Sequence, residues 1–252
     1  DDPACPANQW FRTLFEAWAG TENPRGIFNY YDCFAAQDEK GAGILAVPLD
    51  DIVAADIRYM HRLGHSLWSL STMPPDGDYR YANGRYNIPQ VTDYWRANMH
   101  MHYIQAKLAW EPGLDVEALR RDLDEKFYGP AADAMNRYYA LGRKLWRETP
   151  GDFMYNARFG SIGKSVAAPA DLRALEALLA EAEQAAAGHP EVLRRLAKDR
   201  ELFDLGWALA RVQYIKRPAN DVQAARTTAP IVLDGRLDEP NWKALDQISG
   251  FT

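Results

Sequence analysis

The second half of the chain carries a hydrophobic pattern with helical spacing. Between residues 116 and 217, apolar residues recur every three or four positions in four successive segments, which places them on one face of a helix. Gly129-Pro130 and Gly188-His189-Pro190 separate neighbouring segments, and such combinations end one helix and begin the next. Because short turns between amphipathic helices favour antiparallel neighbours, the pattern predicts a helical bundle with four helices and no strand.

Single residues refine this prediction. Asp115 is expected to cap the first of the four helices, and Pro169 to occupy the first turn of the third. Gly64 and Gly129 stand where helices end, and both are expected to have a positive φ. Arg200 interrupts the apolar seam of the fourth helix, so we expect it to pair with a carboxylate across the hairpin, either Glu176 or Glu183.

The first 112 residues have a different pattern, in which short extended runs alternate with helical segments. Residues 26–31 and 65–71 are β-prone runs, and an amphipathic helix is predicted between them, after Pro48 and Asp50. A further helix is predicted from Thr92 to about residue 110. This βα alternation is typical of parallel sheets, so the predicted fold class is α/β plus α, with the C-terminal part of a (β/α)8-type barrel before the helical bundle.

The pattern changes again near the end of the sequence. Residues 218–229 are polar and read as a linker, and residues 230–252 begin with a strand that runs into a turn. The predicted organisation is therefore 1–112 for the barrel units, 113–217 for the helical domain, 218–229 for the linker and 230–252 for a truncated β-strand tail. Since two strands do not build a barrel, we expect this chain to be a fragment of a larger protein.

Composition excludes several classes of function. The chain has 29 Lys and Arg residues against 35 Asp and Glu residues, and no basic cluster lacks interleaved acids, so nucleic-acid binding is not predicted. No apolar run approaches the ~20 residues of a membrane span. No metal or cofactor is predicted, because the sequence lacks Cys/His clusters and nucleotide-binding motifs, and His100 and His102 diverge on a helix. Cys5 and Cys33 are left open as a disulfide or two free thiols.

Candidate catalytic and substrate-binding residues follow the predicted strands. Asp32 comes directly after the first strand, where βα barrels place catalytic carboxylates, although a solvated loop acid or turn cap is an equally simple interpretation. Tyr31 and Trp68 are candidate sugar-stacking residues, with core packing as the alternative for Trp68. Arg80 and Tyr81 lie in a polar, aromatic loop suited to hydroxyl contacts or simply to solubility. The partner carboxylate is missing, so no complete catalytic pair is expected.

Two resemblances connect these patterns to carbohydrates. The segment Ile231-x-Leu233-Asp234-Gly235-x-Leu237-Asp238-Glu239-Pro240-x-Trp242 resembles the opening of family 9-type carbohydrate-binding modules, which are β-sandwich domains of secreted bacterial enzymes. Residues 5–217 resemble an uncharacterised bacterial family of glycoside-hydrolase-like barrel proteins near α-glucuronidases and hexosaminidases. The residues that carry this second resemblance are Cys5-x-x-Asn8, Phe11, Leu14, Trp18, Tyr30-Tyr31, Tyr103-x-x-Ala106-Lys107-Leu108-x-Trp110-x-Pro112, Asp115-Val116 and Phe127-Tyr128-Gly129-Pro130-Ala131-Ala132.

The resemblances imply a secreted or periplasmic, glycoside-hydrolase-like protein that acts on or binds an oligosaccharide or polysaccharide. One departure weakens a catalytic role for the second strand: related sequences carry an acidic residue after it, where this chain has serine in Trp68-Ser69-Leu70-Ser71. Two alternatives stay open. One is a non-catalytic carbohydrate-recognition or scaffold protein, and the other is a helical protein-interaction module.

Overall fold

The chain divides into two compact units, Asp1–Ile215 and Lys216–Thr252. In the computed structural model, the described residues are 4–19, 26–29, 35–37, 44–65, 67–70, 94–149 and 162–216. All of them except Lys216 belong to the first unit. The predicted linker and β-strand tail, residues 218–252, lie outside the described residues, and the predicted domain boundaries stay predictions.

Helices account for most of the described residues. They are α1 (Pro6–Ala19), α2 (Asp50–Arg62), α3 (Tyr94–Ala97), α4 (Met99–Trp110), α5 (Val116–Tyr128), α6 (Ala132–Glu148), α7 (Pro169–Ala185), α8 (Pro190–Phe203) and α9 (Leu209–Lys216). Two 3-10 turns, Gly129–Ala131 and Gly163–Val166, precede α6 and α7, and a π-helical turn, Asp204–Ala208, joins α8 to α9.

Four short strands complete the described secondary structure. β1 (Gly26–Asn29) pairs in parallel with β4 (Leu67–Leu70), and β2 (Ala35–Gln37) pairs antiparallel with β3 (Ile44–Ala46). Each pair is a separate two-stranded sheet of three- or four-residue strands.

The prediction of a barrel fragment, and with it the α/β fold class, is therefore wrong. A (β/α)8 barrel is one closed parallel sheet with helices outside it, whereas the described part of this chain is a helical assembly whose few strands form two separate pairs, one of them antiparallel. The physical reason is that α2, the helix between β1 and β4, packs against α4 as part of the helical core. The β-prone runs themselves were correctly located, but strand–helix alternation does not by itself specify a barrel.

The ends of the helices follow from local residues, as predicted. The Asp115 carboxylate accepts a hydrogen bond from the Ala118 backbone N–H at 2.6 Å and so caps α5. Gly129 ends that helix with φ of 50°, and Gly64 ends α2 with φ of 82°, which confirms the two expected positive φ angles. At the end of α2 the His65 N–H bonds to the Met60 carbonyl, the pattern of a Schellman motif.

The described residues between 116 and 216 contain the four predicted helical segments and no strand. Pro169 and Pro190 occupy the first turns of α7 and α8, and Gly188 makes the turn between them with φ of 88°. Arg200 of α8 forms two hydrogen bonds of 3.0 Å with Glu183 of α7 and lies 3.9 Å from Glu176, so the expected ion pair across the hairpin is confirmed.

One hydrophobic core joins these helices. Fully buried side chains come from α2, α4, α5, α6, α7 and α8, among them Val53, Ile104, Leu108, Met135, Leu175, Leu179 and Leu196. α4 is buried on nearly all sides, as expected for an internal helix. In the part of the chain that the structure describes, no helix is long and apolar enough to cross a membrane.

Candidate functional site

A pocket opens where four segments of the first unit meet. Its walls come from the residues before α2 and the start of that helix, from the α3–α4 junction, from α6, and from the end of α8 with the π-helical turn. The described lining residues are Val47, Pro48, Leu49, Asp50, Ala97, Asn98, His100, Met101, Tyr138, Tyr139, Gly142, Arg143, Asp199, Leu202 and Trp207. Aromatic and charged side chains are thus brought together by segments that are far apart in the sequence.

A buried carboxylate, Asp199 of α8, organises one wall. Its Oδ2 accepts a hydrogen bond from Arg96 at 2.5 Å, and its Oδ1 accepts from the hydroxyls of Tyr128 and Tyr139 at 3.1 and 3.0 Å. Burial raises the pKa of Asp199, and the charge of Arg96 with the two tyrosine hydrogen bonds opposes that shift. Burial disfavours the charge of Arg96, yet its tyrosine and aspartate neighbours outweigh this and raise its pKa.

A histidine–aspartate pair forms the neighbouring part of the wall. His100 of α4 is 2.8 Å from Asp124 of α5 through its Nε2, and Asn136 donates to the other oxygen of that carboxylate at 3.0 Å. The His100 ring also packs against Tyr139, with 4.0 Å between ring centroids. The contact with Asp124 fixes the orientation of the His100 ring. Nδ1 of the same ring has no hydrogen-bond partner among the described residues, so it is available to a ligand in the pocket.

The opposite wall contains a second buried carboxylate, Asp50 at the start of α2. Arg120 of α5 donates to Asp50 through Nε at 2.8 Å and through Nη2, which also donates to Asp51, while its Nη1 donates to Glu117. Burial disfavours the charge of Arg120, but Asp50 and Asp51 more than compensate and raise its pKa. This ion pair therefore fixes the position of Asp50 at the pocket.

Arg143 of α6 is the other arginine beside Asp50, and its environment is different. Its guanidinium lies 3.9 Å from Asp50, too far for a hydrogen bond, and it forms no hydrogen bond with the described residues. Its side chain is 9% exposed. Burial lowers the pKa of Arg143, Asp50 opposes that shift, and the positive charge of Arg120 adds to it.

Trp207 and Gly142 form the apolar part of the lining. The π-helical turn places the Trp207 indole beside α6, where a Cβ on Gly142 would lie 3.5 Å from its ring. That is an ordinary van der Waals distance, so the missing side chain at position 142 contributes space to the pocket. The pocket has a cavity volume of about 90 Å³. Since one buried water needs ~10–15 Å³ of such volume, the pocket has room for several waters or a ligand group that displaces them.

The site residues predicted from the sequence have no side chain in the part of the chain that the structure describes. Asp32, Tyr31, Arg80 and Tyr81 lie outside the described residues. Trp68 belongs to β4, where its backbone is in register with Ile27 of β1, and its side chain is outside the description. None of these positions is among the described lining residues. Their proposed catalytic and substrate-binding roles stay predictions.

Sequence reasoning missed most of the lining. Asp199 lies in the charged run Lys198-Asp199-Arg200-Glu201, which has the appearance of an exposed helix surface, and Arg143 is followed by a lysine. His100 entered the sequence analysis only as a possible metal ligand, and Trp207 is one of several apolar residues in the predicted fourth helix. A usable signal did exist for Asp199, because it lies four residues before Phe203, which belongs to the buried seam of α8.

Cys5 is a free thiol of intermediate exposure, and Cys33 lies outside the described residues. Among the described residues, no group of three or more His, Cys, Asp and Glu side chains is arranged to hold a metal ion.

Comparison with protein-family models, with curated proteins and with solved structures finds no significant match to this chain.

Proposed function

We propose that this chain is part of a secreted, glycoside-hydrolase-like protein that acts on or binds polysaccharide, and that its helical unit binds one sugar ring in the pocket between α2, α4, α6 and α8. The observation that carries the proposal is that aromatic side chains and polar groups without a hydrogen-bond partner among the described residues line one pocket. The sequence resemblances to carbohydrate-processing proteins point to the same class of ligand.

Three lining residues offer polar atoms that have no hydrogen-bond partner among the described residues. They are the hydroxyl of Tyr138, the guanidinium of Arg143 and Nδ1 of His100. Sugar hydroxyls both donate and accept, so they are suited to such a mixed set, while the apolar face of a sugar ring packs on aromatic side chains. Since these atoms line the pocket without a protein partner among the described residues, a ligand that hydrogen-bonds to them gains affinity.

The charged groups of the pocket favour binding over catalysis by the described residues. Glycoside hydrolysis generally uses two carboxylates at the scissile bond, one of them protonated. Asp50 and Asp199 both line the pocket, but Asp50 is bound by Arg120 and Asp199 by Arg96 and two tyrosines. The catalytic role predicted for Asp32 is therefore a separate proposal with a test of its own.

The proposal is tested by calorimetry of the full chain against a library of mono- and oligosaccharides. Gly142→Ala adds a methyl group to the pocket wall without a clash, and we expect it to weaken sugar binding at least about tenfold, while helix propensity keeps the protein at least as stable. Gly113→Ala is the matched control, because a Cβ there meets open space outside the pocket. Binding that is equally tight in both variants would exclude this pocket.

Catalysis is tested separately with a panel of aryl glycosides. Turnover that Asp32→Asn abolishes would support an enzyme, whereas sugar binding without turnover, in any longer natural form of the protein as well, would leave the carbohydrate-recognition alternative. Capture of a stoichiometric protein partner, with no sugar binding by calorimetry, would instead support the helical interaction module.

A further inference from the structure

The charged side chains that line the pocket differ in whether they are hydrogen-bonded to a group of opposite charge. Its two lining carboxylates each have an arginine of their own that is not part of the lining: Asp199 is bound by Arg96, and Asp50 by Arg120. The third buried carboxylate, Asp124, lies outside the lining and is hydrogen-bonded to His100 and Asn136. Arg143 is the remaining fixed charge among the described lining residues.

The carboxylates near Arg143 are already engaged elsewhere. Asp50 receives hydrogen bonds from Arg120, and its 3.9 Å separation from Arg143 allows no hydrogen bond between them. Asp51 and Glu117 are bound by Arg120 too, and Asp51 also by Arg147. Two buried guanidinium groups thus share one buried carboxylate, and the donors of Arg143 stay unused by the described residues.

The guanidinium of Arg143 makes no hydrogen bond to a described residue although it lines the pocket, so its N–H donors are open to a ligand there. A planar fork of N–H donors matches an oxyanion, which it can bind through two parallel hydrogen bonds. The hydroxyl of Tyr138, which lines the same pocket, adds a donor for such a group. A neutral ligand would add no negative charge beside Arg143, whose nearest carboxylate, Asp50, is 3.9 Å away and bound by Arg120.

We propose that Arg143 is an anion-recognition residue, and that the pocket selects a sugar ring bearing an oxyanion, either a carboxylate or a sulfate, over its neutral counterpart. The inference rests on the proposed sugar-binding function and narrows its ligand class. The aromatic lining holds the ring, and Arg143 holds the anionic substituent.

Calorimetry of the full chain at pH 7 with four probes tests the proposal. The probes are a hexuronate, the corresponding neutral hexose, the hexose 6-sulfate, and cyclohexanecarboxylate, which keeps a ring and a carboxylate but has no hydroxyls. We expect the hexuronate or the 6-sulfate to bind at least about tenfold more tightly than the hexose, since hydrogen bonds to charged groups are the stronger ones. The better of these two anions distinguishes a carboxylate site from a sulfate site.

Variants assign the preference to Arg143. Arg143→Gln should abolish the difference between the anionic sugar and the hexose, and Arg143→Lys should reduce it, because an ammonium keeps the charge but lacks the fork. Arg137→Gln is the matched control: it changes an exposed arginine of the same helix that pairs with Asp133 and Glu181, and it should preserve the preference. Thermal melts verify folding, and the lysine variant retains the test if the glutamine variant unfolds.

Each outcome has a distinct meaning. Equal binding of hexose and both anionic sugars, unaffected at position 143, would overturn the anion inference and leave the sugar-binding function intact. Binding of cyclohexanecarboxylate that depends on Arg143, without binding of any sugar, would retain the anion site and overturn the sugar-binding function. Absence of binding by all four probes would overturn both.

Discussion

At the scale of single residues, three buried carboxylates and their hydrogen-bond partners connect the described helices. Asp50 has a guanidinium, Asp124 a histidine and an amide, and Asp199 a guanidinium with two phenols. Each lies between different helices, so the ion pairs and hydrogen bonds specify how those helices meet. Buried pairs of this kind contribute modestly to net stability, but breaking one leaves an uncompensated charge.

Asp199→Asn tests this directly. Arg96 is largely buried and lies over the Phe127 ring, 4.4 Å from its centroid, so it would lose its counterion without gaining water. We expect the variant to lose about 3–5 kcal/mol of the free energy of unfolding, measured by urea denaturation with an unchanged slope. Asp133→Asn removes an exposed aspartate that pairs with Arg137, and it should cost less than about 1 kcal/mol. If Asp199→Asn is as stable as the parent, Asp199 is protonated in the folded protein and the Arg96 ion pair is not formed.

At the scale of elements, local chemistry determines where helices begin and end, and a tight contact determines how the last helix is seated. The 3-10 turn before α7 approaches α9 so closely that a Cβ on Gly163 would lie 2.1 Å from the carbonyl oxygen of Ala210. The added Cβ is bonded directly to the backbone, and the Ala210 oxygen is a backbone atom, so no side-chain rotation relieves the clash. The glycine is thus required by packing and not by its φ angle, which is not positive.

Gly163→Ala is therefore expected to destabilise the protein strongly. Separating the two segments would expose the surroundings of Ala210 and Val166, both fully buried, and we expect a loss of about 2 kcal/mol or more, as for other overpacked sites. The change is measured by thermal and chemical denaturation. Gly113→Ala is the control, with an expected change within about 0.5 kcal/mol, because its Cβ meets open space. A stable Gly163→Ala protein would mean that α9 is not seated against this turn.

The difference between local chemistry and tertiary packing explains which features could be predicted from the sequence. Helix ends at Asp115, Gly129 and Pro190 were predictable because a cap, a positive φ or a proline acts within a few residues. The pairing of Arg200 with α7 was predictable because the hairpin turn is short. The barrel was wrongly predicted because β-prone runs and helices of the right order do not say which surfaces pack together. The helices bury their apolar faces against one another instead.

The pocket was beyond such reasoning for a related reason. Its lining combines residues near positions 50, 100, 140 and 200, and no periodic pattern relates them. A charged residue on a helix is ordinarily solvated, so Arg143 gives no local sign of burial, and Asp199 gives only its spacing of four residues from Phe203. Only the tertiary arrangement shows that Asp199 is hydrogen-bonded to Arg96 and two tyrosines, whereas Arg143 makes no hydrogen bond to a described residue.

At the scale of the whole molecule, one hydrophobic core extends across the predicted boundary at residue 112. Helices α2 and α4, before it, and α5 to α8, after it, contribute to the same cluster of buried side chains. Arg58 of α2 also donates hydrogen bonds to the backbone carbonyls of Pro112 and Leu114, at 3.0 and 2.6 Å, which ties the connecting segment to that helix. These helices are therefore expected to unfold together in one cooperative transition.

Deletion of residues 219–252 tests where that cooperative unit ends. Residues 1–215 form a compact unit of their own, so the shortened chain should melt within about 3 °C of the parent, since a domain of this size shifts by about 2–4 °C per kcal/mol. A second truncation, which removes residues 209–252, is the control. It takes away α9 with the fully buried Ala210 against which the Gly163 turn packs, and it should lower the melting temperature much further. A fall of more than about 6 °C on deleting only 219–252 would correspond to about 2 kcal/mol of lost packing. The last residues would then belong to the helical unit, and the predicted boundary at residue 218 would be wrong.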